Sequence, residues 1–219
     1  YFTGGDLPKN DLDQHKRRLG LLTPIVKGWC TETAQEVASL SLQCHGGMGY
    51  IEETGIAQIV RDARILPIYE GTNGIQAMDL VVRKIIGDKG LAINELIVDM
   101  RKSLSSLLPG SPLLSSQIDR FKGSVDDLEK TVSLLLKHST NRKFSGSVAF
   151  DVLMMTSTIT AAWQMLVSAE RAQLAFESNK VSSEFFDDKT TTAQYFIDSI
   201  LPRYIGHFIT ISSTDTGVK

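Results

Sequence analysis

Apolar residues recur at three- and four-residue steps along most of the chain, and alternating runs rich in Val, Ile or Thr are few. The first spacing puts apolar side chains on one face of a helix, whereas alternation would serve a strand. The pattern therefore predicts an all-α protein. Its clearest stretch is Ile118, Phe121, Val125, Leu128, Val132 and Leu135. Earlier, Thr23 and Pro24 read as an N-cap followed by proline at the first helical position. Ile25, Trp29, Ala34, Val37, Leu40 and Cys44 continue that helix to about His45, where Gly46 and Gly47 end it. Residues 52–68 read as a loop with short helical pieces. Asn73 and Gln76 stand three apart, as in a capping box, so the next helix is expected to start near Asn73. Its inward face would carry Ile75, Met78, Val82 and Ile85.

Gly87, Asp88, Lys89 and Gly90 interrupt the pattern and mark an expected domain boundary, dividing the chain into residues 1–88 and 89–219. Four helical patterns follow. The first covers about 91–108 and stops at Pro109, Gly110, Ser111 and Pro112. The second is the stretch from Ile118 to Leu135. The third covers about 148–177 and includes Trp163. The fourth covers about 190–212, with Pro202 expected to kink or divide it. The predicted fold is thus one helical bundle followed by a second of roughly four helices. The helices before Gly87 are too few for an independent core, so they are expected to complete a bundle whose other members lie elsewhere.

Composition narrows the function classes. The chain has 219 residues and a formal net charge of −2, which gives no electrostatic reason to expect nucleic acid or an anionic membrane. No apolar run approaches the roughly 18–20 residues of a membrane span. Cys30 and Cys44 have neither zinc nor CxxC spacing, and are expected to be buried free thiols, which suits a reducing compartment. The start at Tyr1, without Met or a charged-then-apolar leader, raises the expectation of a piece of a longer protein.

Candidate chemistry is sparse. His15, His45, His138 and His207 are far apart in sequence, with no metal-motif neighbours, and read as surface or satisfied core histidines. Arg61 and Arg64 stand at helical spacing near Glu52 and Glu53. That arrangement reads first as a structural ion-pair group and second as an anion contact. The segment Gln43, Cys44, His45, Gly46, Gly47, Met48, Gly49 can be a helix cap. It can also be a backbone surface bare enough for a phosphate-rich ligand, and glycine content alone favours the cap. Glu70 follows an apolar run and precedes Gly71, Thr72, Asn73 and Gly74. Local chemistry divides it evenly between a loop acid and a general base. Burial among apolar groups would make a carboxylate a better proton acceptor near neutral pH.

The ordered set Gln43, Gly46, Gly47, Gly49, Tyr50, then Arg61, Asp62, Ala63, Arg64, then Ile68, Tyr69, Glu70, Gly71, Thr72, then Ile75 and Gln76 closely resembles the acyl-CoA dehydrogenase family. Asn73 and Gly74, with the long region after Gly90, resemble its large bacterial subgroup of fatty acyl-CoA and 3-methylthiopropanoyl-CoA dehydrogenases. These append extra helices to the carboxyl-terminal bundle. The resemblance implies an FAD-dependent α,β-dehydrogenation of an acyl-CoA thioester, by α-proton abstraction and β-hydride transfer. It implies Glu70 as the base, with Gly71 where main chain meets substrate and Tyr69 at the acyl pocket. Thr72, Asn73 and Gly74 would form the flavin-contacting turn. Gln43, Cys44, His45, Gly46 and Gly47 would touch the dinucleotide part of FAD held by a neighbouring subunit. No metal is implied. A homo-oligomer, an electron-transfer flavoprotein as acceptor and a cytoplasmic location follow by the same analogy. The family's middle β domain is not visible in this sequence, so the chain alone is expected to bind FAD poorly and not to turn over. The alternative is a non-catalytic helical assembly module of an inactive or divergent homologue.

Overall fold

The computed structural model describes residues 9–105, 113 and 115–217, and among these no strand occurs. The predicted stop at Pro109, Gly110, Ser111 and Pro112 lies outside the described residues, as do residues 1–8. In order, the elements are α1 (Lys9–Cys44), α2 (Gly47–Tyr50), a 3-10 turn (Glu52–Thr54) and α3 (Ile56–Arg64). Then come α4 (Asn73–Met78), which runs on as a π-helical stretch (Asp79–Ile86), α5 (Leu91–Ser105) and α6 (Ser115–Lys137). The chain ends with α7 (Arg142–Glu177), α8 (Ser183–Tyr195), a π-helical and 3-10 passage (Phe196–Arg203) and α9 (Tyr204–Gly217). Pro202 sits in that passage and divides the last pattern, as its missing N–H requires.

The start of α1 differs from expectation. Thr23 and Pro24 do not open a helix; Pro24 lies inside α1, which already includes Lys9. The Thr23 hydroxyl turns back to the Leu19 carbonyl at 2.8 Å instead of capping. An internal proline costs about 3 kcal/mol. Burial of Leu21, Pro24 and Ile25 offsets it, at about 1.5–3 kcal/mol per fully buried apolar side chain. The ion pairs Arg17–Glu95 at 2.6 Å and Arg18–Asp99 at 2.8 Å tie this extra length to α5, though solvent screening keeps their contribution small.

The buried faces also differ. On α1, Val37 is 55% exposed and Leu40 and Cys44 are exposed, while Ala38 faces inward. On α4 and its continuation the inward face is Ala77, Leu80, Val81 and Ile85, whereas Ile75, Met78 and Val82 point outward. Apolarity alone could not separate the two faces, because both are apolar. Cys30 and Cys44 are exposed rather than buried. Standing on one helix about 21 Å apart, they cannot pair.

One contiguous core draws on Leu21 and Ile25 of α1, Leu80 and Ile85 after α4, Leu96 of α5, Phe121 and Leu128 of α6, and Val148 through Ile159 of α7. Side chains from both sides of Gly87–Gly90 share it. At its middle lies α7, the one described helix long and apolar enough by composition to cross a membrane, against the expectation that no run would approach that length. Its apolarity is spent on α1, α4, α8 and α9, which cover it. Where α1 crosses α7, Leu153 fills the space beside Gly28, and a larger residue there would force the leucine to shift. A Cβ there would meet Leu153 Cδ2 at 2.6 Å.

Helix α9 is tied down by polar contacts. His207 Nδ1 meets Asp151 Oδ1 of α7 at 2.7 Å, and His138 meets Asp215, which Lys137 also reaches. The Tyr204 hydroxyl donates to Asp127 of α6 at 3.1 Å. Burial, with the neighbouring Asp127 charge, pushes that phenol up to about 12. The hydrogen bond with His138, and after it Lys137, holds the Asp215 carboxyl below its ordinary value.

Two outcomes follow. Gly28→Ala is expected to lower the unfolding free energy by about 1–3 kcal/mol, and Leu153→Val in the same protein to recover part of it, both read by denaturant unfolding. A depressed carboxylate contributes stability above its unfolded value, near 4, and loses it as pH falls through the folded value. Asp215→Asn should therefore shift thermal unfolding little at pH 2 and lower it at pH 6.

Candidate active site

Glu70 is mounted on a turn that its own sequence does not favour. Glu70 has φ 54° and Gly71 φ 83°, two successive residues in the left-handed region. Glycine suits that region; a glutamate held there costs about 1–2 kcal/mol. Such a conformation persists only where neighbours over-determine it. Here α3 ends in tight turns over Ile65–Tyr69, and the Asn73 amide closes the loop on the Pro67 carbonyl at 3.1 Å. The next helix is capped by Thr72, whose hydroxyl accepts from the Ile75 amide at 3.3 Å. The cap was expected at Asn73. That residue is one position too late, and its side chain is engaged elsewhere.

Asn73 is only 4% exposed and is the hub of a polar cluster with α1. Its Oδ1 accepts from Lys27 Nζ at 2.7 Å. Its Nδ2 donates to Thr31 Oγ1 and to Glu32 Oε1, each at 2.8 Å, with the Gly28 carbonyl further off at 3.3 Å. The amide's orientation follows from chemistry: lysine can only donate and a carboxylate only accept. The Thr31 hydroxyl donates its own hydrogen bond to the Lys27 carbonyl at 2.8 Å. Lys27 Nζ also donates to the Gly71 carbonyl at 2.8 Å, and Gln76 Nε2 to the Glu70 carbonyl at 3.2 Å. The carbonyls of both left-handed residues are thus held by side chains.

Glu70 itself is exposed within this chain, so the burial that would favour proton acceptance is not supplied here. Tyr69, Gly71, Thr72 and Gly74 are exposed beside it. Asn73 differs: its side chain faces inward and shapes the turn.

Gln43, Cys44, His45, Gly46 and Gly47 are all exposed at the end of α1. Gly46 has φ 58° and ψ −144°, a backbone conformation open to glycine, and α1 stops just before it as expected. Gly49 is needed for packing, since a Cβ there would meet the Leu42 carbonyl oxygen at 2.4 Å. Gly47 has neither reason: its φ is ordinary and a Cβ would meet nothing within 4 Å. Its backbone lies open to an outside group, and a cleft of about 550 Å³ between Leu42, Tyr50 and Arg61 adjoins the segment. Gln43 stands about 24 Å along α1 from Lys27, so the structure does not bring the two predicted site segments together.

Arg61 pairs with Glu52 at 3.0 Å, the structural role expected of it. No group of three or more metal-ligating side chains occurs among the described residues. Another cleft, of about 750 Å³, lies between α1, α7 and the α8–α9 passage, lined by Trp29, Glu32, Phe196, Arg203 and His207 among others; it includes neither Glu70 nor the Gln43–Gly47 segment. Lys27, Thr31, Glu32 and the carbonyl-holding role of Gln76 were not foreseen. The only signal was a polar stripe, Lys27, Thr31 and Glu32, on an inward part of α1; nothing in it pointed to a partner 46 residues away.

Residues 9–85 match the family model described as acyl-CoA dehydrogenase, C-terminal domain, and residues 93–218 match the one described as acetyl-CoA dehydrogenase C-terminal like. The chain is 40% identical, over 90% of its length, to a 3-methylmercaptopropionyl-CoA dehydrogenase of Ruegeria pomeroyi, covering 33% of that protein. It is 30% identical, over 83% of its length, to the broad-specificity linear acyl-CoA dehydrogenase FadE5 of Mycobacterium tuberculosis, covering 31% of it. A mitochondrial long-chain specific acyl-CoA dehydrogenase of Sus scrofa is 41% identical over 36% of the chain and 18% of that protein. The chain thus spans about a third of the length of the first two relatives.

Relieving the strain at the turn separates stability from chemistry. Glu70→Gly is expected to leave the unfolding free energy unchanged or to raise it by up to about 1 kcal/mol, because glycine adopts the left-handed conformation freely. Denaturant unfolding reads this; a loss of more than 1 kcal/mol would mean that the Glu70 side chain stabilises the turn.

Proposed function

Because the chain belongs to the acyl-CoA dehydrogenase family, we propose that it carries the base-bearing part of a flavin-dependent acyl-CoA dehydrogenase, with Glu70 as the base. One observation carries the reading: an exposed glutamate is kept at a left-handed position that favours glycine, on a turn held by three side chains. A loop acid with no task would be free to be glycine or asparagine there.

In this reading the Glu70 carboxylate takes the α-proton of an acyl-CoA thioester. Gly71, without a side chain, lets the substrate's main body approach the turn, and Tyr69 lines the acyl side. Loss of the α-proton places negative charge on the thioester carbonyl, which donors must stabilise. FAD, when bound, would supply the oxidising group that accepts the β-hydrogen with its electron pair. Thr72 and Gly74 lie on the outer side of the turn where the flavin would be held, and Asn73 serves by setting the turn's shape. Gln43, Cys44, His45, Gly46 and Gly47 fit a contact to the dinucleotide portion, because Gly47 is bare for no internal reason. Gln43 lies about 24 Å along α1 from Lys27, which holds the Glu70 turn, and that spacing suits contact with a flavin held by a second subunit. Covering the carboxylate, by the remaining two thirds of an enzyme like the relatives above, would withdraw it from water and favour proton acceptance.

The same reading assigns the whole protein an acyl-CoA substrate, a place in fatty acid metabolism, a homo-oligomeric state, an electron-transfer flavoprotein as electron acceptor and a cytoplasmic location. It also retains a division of the chain at residues 88 and 89 as two sequence units that fold against a shared core.

Glu70→Gln in the full-length protein tests the assignment. Anaerobic mixing with an acyl-CoA thioester should bleach bound flavin at least about 100-fold more slowly than in the parent, the ordinary scale of general-base loss. Bleaching at the parent rate would remove Glu70 as the base.

A further inference from the structure

Two of the contacts that hold the Glu70 turn are made at the carbonyls of its two left-handed residues. Gln76 Nε2, from α4, donates to the Glu70 carbonyl at 3.2 Å. Lys27 Nζ, from α1, donates to the Gly71 carbonyl at 2.8 Å. A left-handed pair relaxes most simply by rotating the peptide between or after its residues, which swings the carbonyls and redirects the intervening side chain. Each donor opposes one such rotation. We propose that Lys27 and Gln76 are positioning residues: together they fix the direction in which Glu70 presents its carboxylate. The proposal rests on the reading of Glu70 as the base.

The arrangement around Lys27 supports this over simple charge neutralisation. A lysine ammonium most readily takes a carboxylate, and Glu32 shares its cluster. Lys27 instead spends its two closest bonds on the Gly71 carbonyl and the Asn73 amide oxygen, while Glu32 takes the other end of that amide. The charge is used as a directed donor between helix and turn. The anchor is rigid on its far side as well. Gly28, next to Lys27, lies against Leu153 of α7 closely enough that a Cβ would force the leucine to shift, and the Ser157 hydroxyl lies 3.4 Å from the Ile25 carbonyl. The helices after Gly90 thereby reach the base-bearing turn through α1, although they contribute no residue to it.

The test uses the full-length, flavin-loaded protein and four variants: Lys27→Met, Lys27→Arg, Gln76→Ala and Glu70→Gln. Lys27→Met keeps the length of the side chain and removes its donor. It is expected to lower kcat about 10- to 100-fold, the scale of a small misplacement of a reacting group, with KM for the acyl-CoA and flavin content within about twofold of the parent. Lys27→Arg, which retains donors, should recover most of kcat. Gln76→Ala, on the outer side of the turn, should show the same split between kcat and KM, and serves alone if Lys27→Met does not accumulate as folded protein. A parent-like kcat in Lys27→Met or Gln76→Ala would overturn the proposal. A loss that falls equally on KM and flavin content and is not recovered by arginine would do the same. The two ideas fail separately: full activity in Glu70→Gln removes the base itself, whereas an inactive Glu70→Gln beside a fully active Lys27→Met removes only the clamp.

Discussion

A primary amide withdrawn from water must find partners for two N–H bonds and a carbonyl, or cost about 1–3 kcal/mol for each one left bare. Asn73 meets that demand through α1, and the geometry of the site depends on how it does so. Its oxygen needs a donor and receives Lys27; its nitrogen needs acceptors and receives Thr31 and Glu32. An aspartate at this position would set a second carboxylate against Glu32. The same bonds place Lys27 where it can reach Gly71, and the strained pair Glu70–Gly71 is then held from α1 and from α4. The position of one exposed acid thus follows from the satisfaction of one buried amide.

The amide cluster would locate nothing if α1 could shift. Two features prevent this. Leu21, Pro24 and Ile25 are buried, and the helix runs unbroken through a residue that would ordinarily start or end it. Gly28 then permits α1 and α7 to approach at the level of the cluster. Because α7 also packs against α4 and its π-helical continuation, the helix that bears Asn73 and the helix that receives it share one wall. The break at Gly87–Gly90 separates two sequence units that match two different family models, yet the apolar side chains on either side of it are buried in common.

Where the sequence misled, it did so for identifiable reasons. Thr23 with Pro24 has the chemistry of a helix start, and only the contacts of the upstream turns made the proline internal. Ile75, Met78 and Val82 have the spacing of a core face, but Ala77, Leu80 and Val81 have it too, and the smaller set faces inward. Ile75 is 61% exposed. Asn73 looked like a cap because asparagine commonly is one; Thr72 was the better candidate by a single position, and the amide was needed in the interior.

The sequence by itself determined the helical class, the course of α6 and most of α7, the punctuation at Gly46 and Gly87–Gly90, and Glu70 as the acid to examine. These are local or periodic properties: helical spacing, glycine freedom and ordered motifs can be read without knowing what lies opposite. Only the tertiary structure decided which of two apolar faces is buried, that α1 passes through its proline, and that Lys27, Thr31 and Glu32 belong to the Glu70 turn. Those outcomes depend on pairing across more than 40 residues, where a donor and an acceptor, or a glycine and a leucine, acquire meaning only from each other.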